Sequence, residues 1–282
     1  MLFEQRTFTV AKDAARPQEN QDAAASDPAR GIAAMADGAA SSLQSGRWAR
    51  LLVEGIVAQP PDIDNTASLA PWLAARRAAW QSGVDEAALA WHQKARLADG
   101  AFATLVWIEL APADDGSLAL KAFAIGDACL LHIRGGCLLR SFPIEESGLF
   151  GTEPALLGSA PRQAADSLTF DTLEDTCERG DLLVLATDAV AAWALTQRES
   201  GRPVGLESLW DMGEEDFARW IDRLRKQQQI RFDDSTVMLL KIGDIVPRDQ
   251  NVPEAQTLAD QVGQWASRLP GVGDWLSGRK TF

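Results

Sequence analysis

The segment Gly31 to Ser42, GIAAMADGAASS, is a small apolar run that stops at Asp37-Gly38 and continues in small polar residues. Ile32 to Ala36 reads as a buried strand, which leaves Asp37 as a carboxylate that a rigid element can aim. Gly38 allows a sharp turn, with its carbonyl facing whatever Asp37 faces. Three other segments repeat the arrangement. Leu182 to Ala186 ends in Thr187-Asp188, Leu120 to Ile125 ends in Gly126-Asp127, and Asp233-Asp234 stand before Thr236 to Leu240. One Asp at a strand end is ordinarily a turn residue, but four in one chain require a joint explanation.

Charge narrows the choice of partner. Forty acidic residues against 27 Lys and Arg give a formal net charge of -13, which argues against nucleic acid, whose binding draws on Lys and Arg to displace counterions. A carboxylate surplus suits divalent cations, or equally a solvated acidic surface. The chain of 282 residues fits one large domain with an appendage as well as two domains. The opening MLFEQRTF lacks the unbroken apolar core of a secretory signal, and no stretch approaches the roughly 20 apolar residues that cross a bilayer. A cytoplasmic protein with no membrane partner is the expectation. Three cysteines fit it as reduced residues. With Gly135-Gly136 as a two-residue hairpin turn, Arg134 faces Cys137 and Cys129 faces Phe142, so those two sulfurs are not partners.

Along the chain, Thr7 to Val10 alternates like a strand and Lys12 to Asp22 is polar. Leu43 to Ala58 spaces Trp48, Leu51, Leu52, Ile56 and Val57 as a helix does, and Trp72 to Ala98 predicts one or two helices with a break near Ser82-Gly83. Phe102 to Leu110, Ser117 to Ile125, Ala128 to Arg134 and Cys137 to Phe142 predict an antiparallel meander. Pro143 to Arg162 has no period and reads as a long functional loop. Ser167 to Leu173 and Leu182 to Ala186 are strand-like, Val190 to Gln197 and Glu214 to Gln228 helical, and Thr236 to Ile242 is the last strand. Leu258, Val262, Trp265, Ala266 and Leu269 share one helical face. Two units follow, 1–243 and a helical extension over 244–282, in an α+β order without a Gly-rich phosphate loop. His92 reads as a helix-surface residue and His132 as a strand position among apolar neighbours, which leaves little room for a multi-His site.

The order of these segments resembles the metal-dependent protein phosphatases of type 2C, in particular their compact bacterial members. Asn20-Gln21-Asp22 is similar to the family's early Asn-Gln-Asp element, and Met35-Ala36-Asp37-Gly38-Ala39 to its Ala-Asp-Gly turn. Gly100-Ala101-Phe102-Ala103-Thr104 resembles a Gly-Ala/Ser-Thr-Ala segment with its order disturbed. Ile125-Gly126-Asp127-Ala128 matches the Gly-Asp-Ser turn, Leu185-Ala186-Thr187-Asp188-Ala189 the Ser-Asp-Gly turn, and Asp233-Asp234-Ser235-Thr236-Val237 the closing Asp-Asn-x-Thr-Val. The resemblance implies a four-layer αββα sandwich of two antiparallel sheets flanked by helices, with two Mg²⁺ or Mn²⁺ ions at one edge. It implies that Asp37 bridges both ions, that Asp188 and Asp233 complete one shell, and that the Gly38 carbonyl serves the other. Asp127 then helps hold a looser third ion, Asp22 orients water, and the loop from Pro143 to Pro161 is a flap. The implied activity is hydrolysis of phosphoserine or phosphothreonine in a protein by hydroxide held between two ions, opposite a Ser/Thr kinase.

The sequence departs from the family in four places. An Arg that grips the phosphate is expected five residues before Asp22; Pro17 stands there, with Arg16 one residue further back. Ala39-Ala40 and Ala189 stand where relatives carry Gly, which raises the question of positive φ. Ala39 also stands where some members carry a His as general acid. Gln21 replaces a Glu. A binding or scaffold domain of the same fold, engaging a partner through the flap or the C-terminal helix, is the alternative that these departures leave open.

Overall fold

The computed structural model describes residues 1–151, 154–160 and 167–243. Its first elements are β1 (Phe3–Val10), β2 (Asp22–Asp27), β3 (Ile32–Asp37), α1 (Ser45–Ala58), α2 (Thr66–Ser82) and α3 (Trp91–Leu97). Six strands follow: β4 (Phe102–Ala103), β5 (Leu105–Pro112), β6 (Leu118–Ile125), β7 (Cys129–Arg134), β8 (Cys137–Phe142) and β9 (Leu157–Gly158). The last are β10 (Asp171–Cys177), β11 (Leu182–Ala186), α4 (Asp188–Glu199), α5 (Glu214–Lys226) and β12 (Ser235–Ile242). The expected helical face over Leu258 to Leu269 lies outside the described residues. No helix among the described residues is long and apolar enough to cross a membrane.

Two five-stranded antiparallel sheets carry the fold, in the orders β1-β12-β11-β7-β8 and β10-β6-β5-β3-β2. Period-2 alternation explains why central strands such as β11 and β12 read as nearly continuous apolar runs: they have two faces to bury. In β12, Met238, Leu240 and Ile242 enter the core between the sheets, with Ala33, Met35, Val106 and Ile108 from the other sheet. Val237 and Leu239 face the opposite way, into a core with Val190 and Leu195 of α4 and Phe217 and Ile221 of α5. On the far side, Ala34, Leu105 and Trp107 meet Trp48, Leu52 and Ile56 of α1 and Leu73 of α2. The layers are therefore helices, sheet, sheet, helices, the sandwich that the resemblance implies.

Helix α5 shows how the outer layers form. Phe217, Ile221 and Leu224 are buried at helical spacing, while Glu214, Glu215 and Asp216 open the helix and Arg223, Arg225 and Lys226 close it, each charge at the dipole end that favours it.

Four local differences from the sequence reading have physical causes. β2, DAAASD, starts where the segment read as polar ends and is not predicted as a strand; its Ala and Ser have weak strand propensity, and full-length pairing with β3 holds it. The meander is not one sheet: β5 and β6 belong to one sheet, β7 and β8 to the other, and the chain crosses between them at Gly126-Asp127. In the hairpin Arg134 does face Cys137, but an irregularity between His132 and Ile133 makes Leu130, rather than Cys129, the partner of Phe142. All three cysteines are free. The strand expected over Ser167 to Leu173 is β10, four residues later.

Candidate metal centre

The strand ends bring the acidic residues together. Across the β2–β3 pair, Asp22 lies directly opposite Asp37, and by alternation Asp37 shares the inward face of Ala33 and Met35. It therefore ends at the mouth of the gap between the sheets. The other sheet contributes Asp188, the first residue of α4, and Asp233, two residues ahead of β12. Asp127 comes from the crossing between the sheets. Asp37, Gly38, Asp127, Asp188 and Asp233 line one cavity of about 780 Å³, together with Thr104, Pro154, Leu156 and Arg231 among others.

Backbone and hydroxyl contacts fix these positions. The Thr104 hydroxyl accepts the Asp37 N–H at 3.2 Å, and the Thr104 N–H donates to the Asp37 carbonyl at 2.8 Å. Thr187 accepts the Thr236 N–H at 3.0 Å and donates its hydroxyl to Asp22 Oδ2 at 3.2 Å. Asp234, 4% exposed, accepts the Lys12 N–H at 2.7 Å and the Gln21 N–H at 2.9 Å, tying three segments to the floor of the site. Thr104, Thr187 and Asp234 all lie inside motifs quoted above, yet nothing in their spacing marks them as braces.

The two alanine substitutions are accommodated. Among the described residues the only non-Gly positions with positive φ are Gln44 and Gln228, so neither Ala39 nor Ala189 sits in a conformation that favours glycine. Gly38 is needed for space rather than for φ: a Cβ there falls 2.7 Å from the Ser45 carbonyl carbon and 2.8 Å from the Gln21 oxygen. At Gly126 both reasons apply, with φ of +100° and Thr104 only 2.6 Å from an added Cβ.

Crowding sets the electrostatics. Burial, then the charges of Asp22, Asp188, Asp233 and Asp127, hold the Asp37 pKa well above the usual carboxylate range. Burial is also the first cause at Asp22, pushed up to about 7 against hydrogen bonds from Thr236 and Thr187. It raises Asp127 to about 6 and raises Asp188 despite the facing Arg231. Asp22 Oδ1 and Asp188 Oδ1 are buried without a hydrogen-bond partner. Orphaned buried oxygens beside mutually repelling carboxylates fit hard divalent cations, which take oxygen ligands and relieve the repulsion.

Arg16 lies elsewhere. It lines a neighbouring cavity of about 540 Å³ with Lys12, Asp13, Glu19 and Arg225, and pairs with Asp13 at 2.7 Å and Glu19 at 3.0 Å. The cation in the acidic cavity is Arg231, 3.0 Å from Asp188, which the sequence reading did not single out. The segment read as a flap is anchored where it is described: Leu157 pairs with Ala103, Trp48 Nε1 donates to the Leu157 carbonyl at 2.7 Å, and Glu199 accepts the Ser147 N–H.

A second group that could hold a metal lies at the other end of β11, where ligand atoms of His132, Cys177 and Asp181 fall within 4.8 Å of one another. Asp181 is already engaged there by His132, by the Glu178 N–H and by Arg134 through Nε and Nη2. Burial pushes the Cys177 thiol up to about 12. A protonated thiol and a carboxylate satisfied by Arg make this a structural network.

The family model described as Protein phosphatase 2C matches residues 12–231. No curated protein matches the sequence. Among solved structures, the Mycobacterium tuberculosis serine/threonine phosphatase PstP/Ppp aligns at a TM-score of 0.55 and 16% identity, over 86% of this chain and 100% of that one. The catalytic domain of PstP in complex with two manganese ions aligns at 0.53 and 16%, over 86% and 99%. The photosystem II phosphatase PBCP aligns at 0.52 and 16%, again over 86% and 99%. At such identities these three likenesses establish the fold.

Proposed function

This chain belongs to the protein phosphatase 2C family, and we propose that it is a metal-dependent hydrolase of phosphoserine and phosphothreonine in proteins. The observation that carries the reading is the crowding of Asp37 by four other carboxylates, an arrangement that is self-repelling without cations. In this assignment Asp37, the Gly38 carbonyl, Asp188 and Asp233 hold two ions, and Asp127 helps hold a third. When bound, Mg²⁺ or Mn²⁺ lowers the pKa of water and neutralises phosphoryl oxygens. Asp22, braced by Thr187 and with its buried Oδ1 unpartnered, would accept a hydrogen bond from the attacking water and so orient it. Ala39 stands where some members of the family carry a His as general acid, so in this reading solvent protonates the leaving alkoxide. General-acid help is worth about 10² to 10⁴ in rate, so turnover on phosphoserine is expected to be slow.

The substrate side is a phosphorylated side chain of a protein, with a Ser/Thr kinase as the opposing enzyme. Three free cysteines support a reducing, cytoplasmic setting. Phosphate release from p-nitrophenyl phosphate and from a phosphothreonine peptide, with and without Mn²⁺, tests the reading. Activity that requires Mn²⁺ and falls at least about 10²-fold in Asp37→Asn and Asp188→Asn supports it. Folded wild-type protein that binds no Mn²⁺ and releases no phosphate would favour a scaffold domain.

A further inference from the structure

Among the described residues lining the acidic cavity, Arg231 alone carries a positive charge. Its Nη1 donates to Asp188 Oδ2 at 3.0 Å and its Nη2 to the Phe150 carbonyl at 2.8 Å, with the guanidinium 6.0 Å from the centre of the Phe150 ring. These contacts occupy two of the five N–H donors of an arginine. The side chain remains 44% exposed while that of Asp188 is 13% exposed, and Arg231 lines the cavity, so donors are left over for a ligand there.

We propose that Arg231 grips the phosphoryl group of the substrate, a role that rests on the phosphatase reading above. A phosphate monoester approaching this cavity meets Asp37, Asp127, Asp188 and Asp233, and needs fixed positive charge to enter. A planar guanidinium matches two phosphoryl oxygens at once. Arg231 is already oriented by Asp188 on one edge and the Phe150 carbonyl on the other, so little side-chain freedom remains to be lost on binding. Of the nearby cations, Arg16 is held by Asp13 and Glu19 and Arg225 donates to the carbonyls of Ala11 and Asp233, while Lys12, whose Nζ lies 3.4 Å from Asp233, offers a point charge and not a planar fork. The chain path supports the assignment as well. Buried Ile230 anchors the link between α5 and β12 in the outer core, and the next residue turns into the site.

The competing account makes Arg231 a brace that only neutralises Asp188 and holds Phe150. Calorimetric titration of the full chain, first with Mn²⁺ alone and then with inorganic phosphate on the Mn²⁺-loaded protein, separates the two. Arg231→Ala is expected to weaken phosphate binding about tenfold or more, the loss of a charge-assisted hydrogen bond. Its affinity for Mn²⁺ is expected to stay the same or rise, because Asp188 loses a competitor. On p-nitrophenyl phosphate the loss appears in KM more than in kcat. Arg231→Lys, which keeps the charge but not the fork, falls between wild type and Arg231→Ala, and Arg16→Ala shifts phosphate affinity less than Arg231→Ala. Unchanged phosphate affinity in Arg231→Ala overturns the proposal, as does a reversed order of the two arginines. Loss of Mn²⁺ binding or of folding in both Arg231 variants also overturns it, in favour of the brace. Failure of the wild type itself to bind Mn²⁺ removes the phosphatase reading beneath it, and shows before any variant is compared.

Discussion

Burial and the charges of Asp22, Asp188, Asp233 and Asp127 all disfavour the charged form of Asp37, so its position suits a bound cation better than the stability of the free chain. Asp37→Asn is therefore expected to stabilise the metal-free protein at pH 8, since the neutral amide removes the repulsion and the burial of a charge. The same substitution should abolish the rise in Tm that Mn²⁺ gives the wild type. Thermal melts in EDTA and in Mn²⁺ check both, and a variant that melts below wild type in EDTA contradicts the repulsion argument. Gly38 makes the opposite case. An added Cβ meets backbone atoms of Ser45 and Gln21 that cannot swing aside, so Gly38→Ala should destabilise by about 1–3 kcal/mol in EDTA as well as in Mn²⁺. That Asp37, Asp127, Asp188 and Asp233 stand out was legible in sequence, because the first three follow an apolar run and Asp233 precedes one. Arg231 was not. Its place depends on how the link from α5 to β12 passes the site, and no periodicity records the path of a loop.

At the scale of elements, the strands buried on both faces were the legible ones. Leu182 to Ala186 and Val237 to Leu240 are apolar throughout because helices cover one side and the second sheet the other. β2 was illegible because its strand character comes from its partner: Ala and Ser promote pairing weakly, and β3 supplies the register. The division of the meander was hidden for a similar reason. A turn such as Gly126-Asp127 looks the same whether it joins neighbours in one sheet or crosses to another, and only the strand pairing settles it, with Leu120 from one sheet and Leu130 and Leu240 from the other sharing one core. Asp234 joins elements that sequence keeps far apart, since one carboxylate receives the N–H groups of Lys12 and Gln21 just ahead of β12. Asp234→Ala leaves two inward amides without an acceptor and should lower stability by about 2–6 kcal/mol, at about 1–3 per unsatisfied group. Asp234→Asn, which keeps one carbonyl acceptor, should lose roughly half as much. Urea unfolding of the two variants against wild type measures the difference, and equal losses would mean that the charge, not the hydrogen bonds, does the tying.

At the scale of the whole molecule, the site draws on both sheets, so its charge state is coupled to the packing of the sandwich. Asp22 near 7 and Asp127 near 6 both lie above the value of about 3.9 for an Asp in an unfolded chain. Between about pH 4 and pH 7 the folded protein thus binds more protons than the unfolded one, and folding stability must fall as pH rises through that window. The wild type in EDTA is accordingly expected to have a higher Tm at pH 5 than at pH 8. Cations bind the deprotonated carboxylates, so the increase in Tm on adding Mn²⁺ should be small at pH 5 and large at pH 8. The net charge of -13 pushes in the same direction through general repulsion, but the two causes respond differently to salt. Repulsion among exposed charges is screened within about 10 Å at 0.1 M salt and more tightly above it, whereas a buried cluster is screened far less. A pH dependence in EDTA that persists in 0.5 M NaCl and shrinks in Asp22→Asn belongs to the cluster. One that vanishes with salt and ignores that substitution belongs to the surface, and would leave the crowded carboxylates without a measurable hold on the fold.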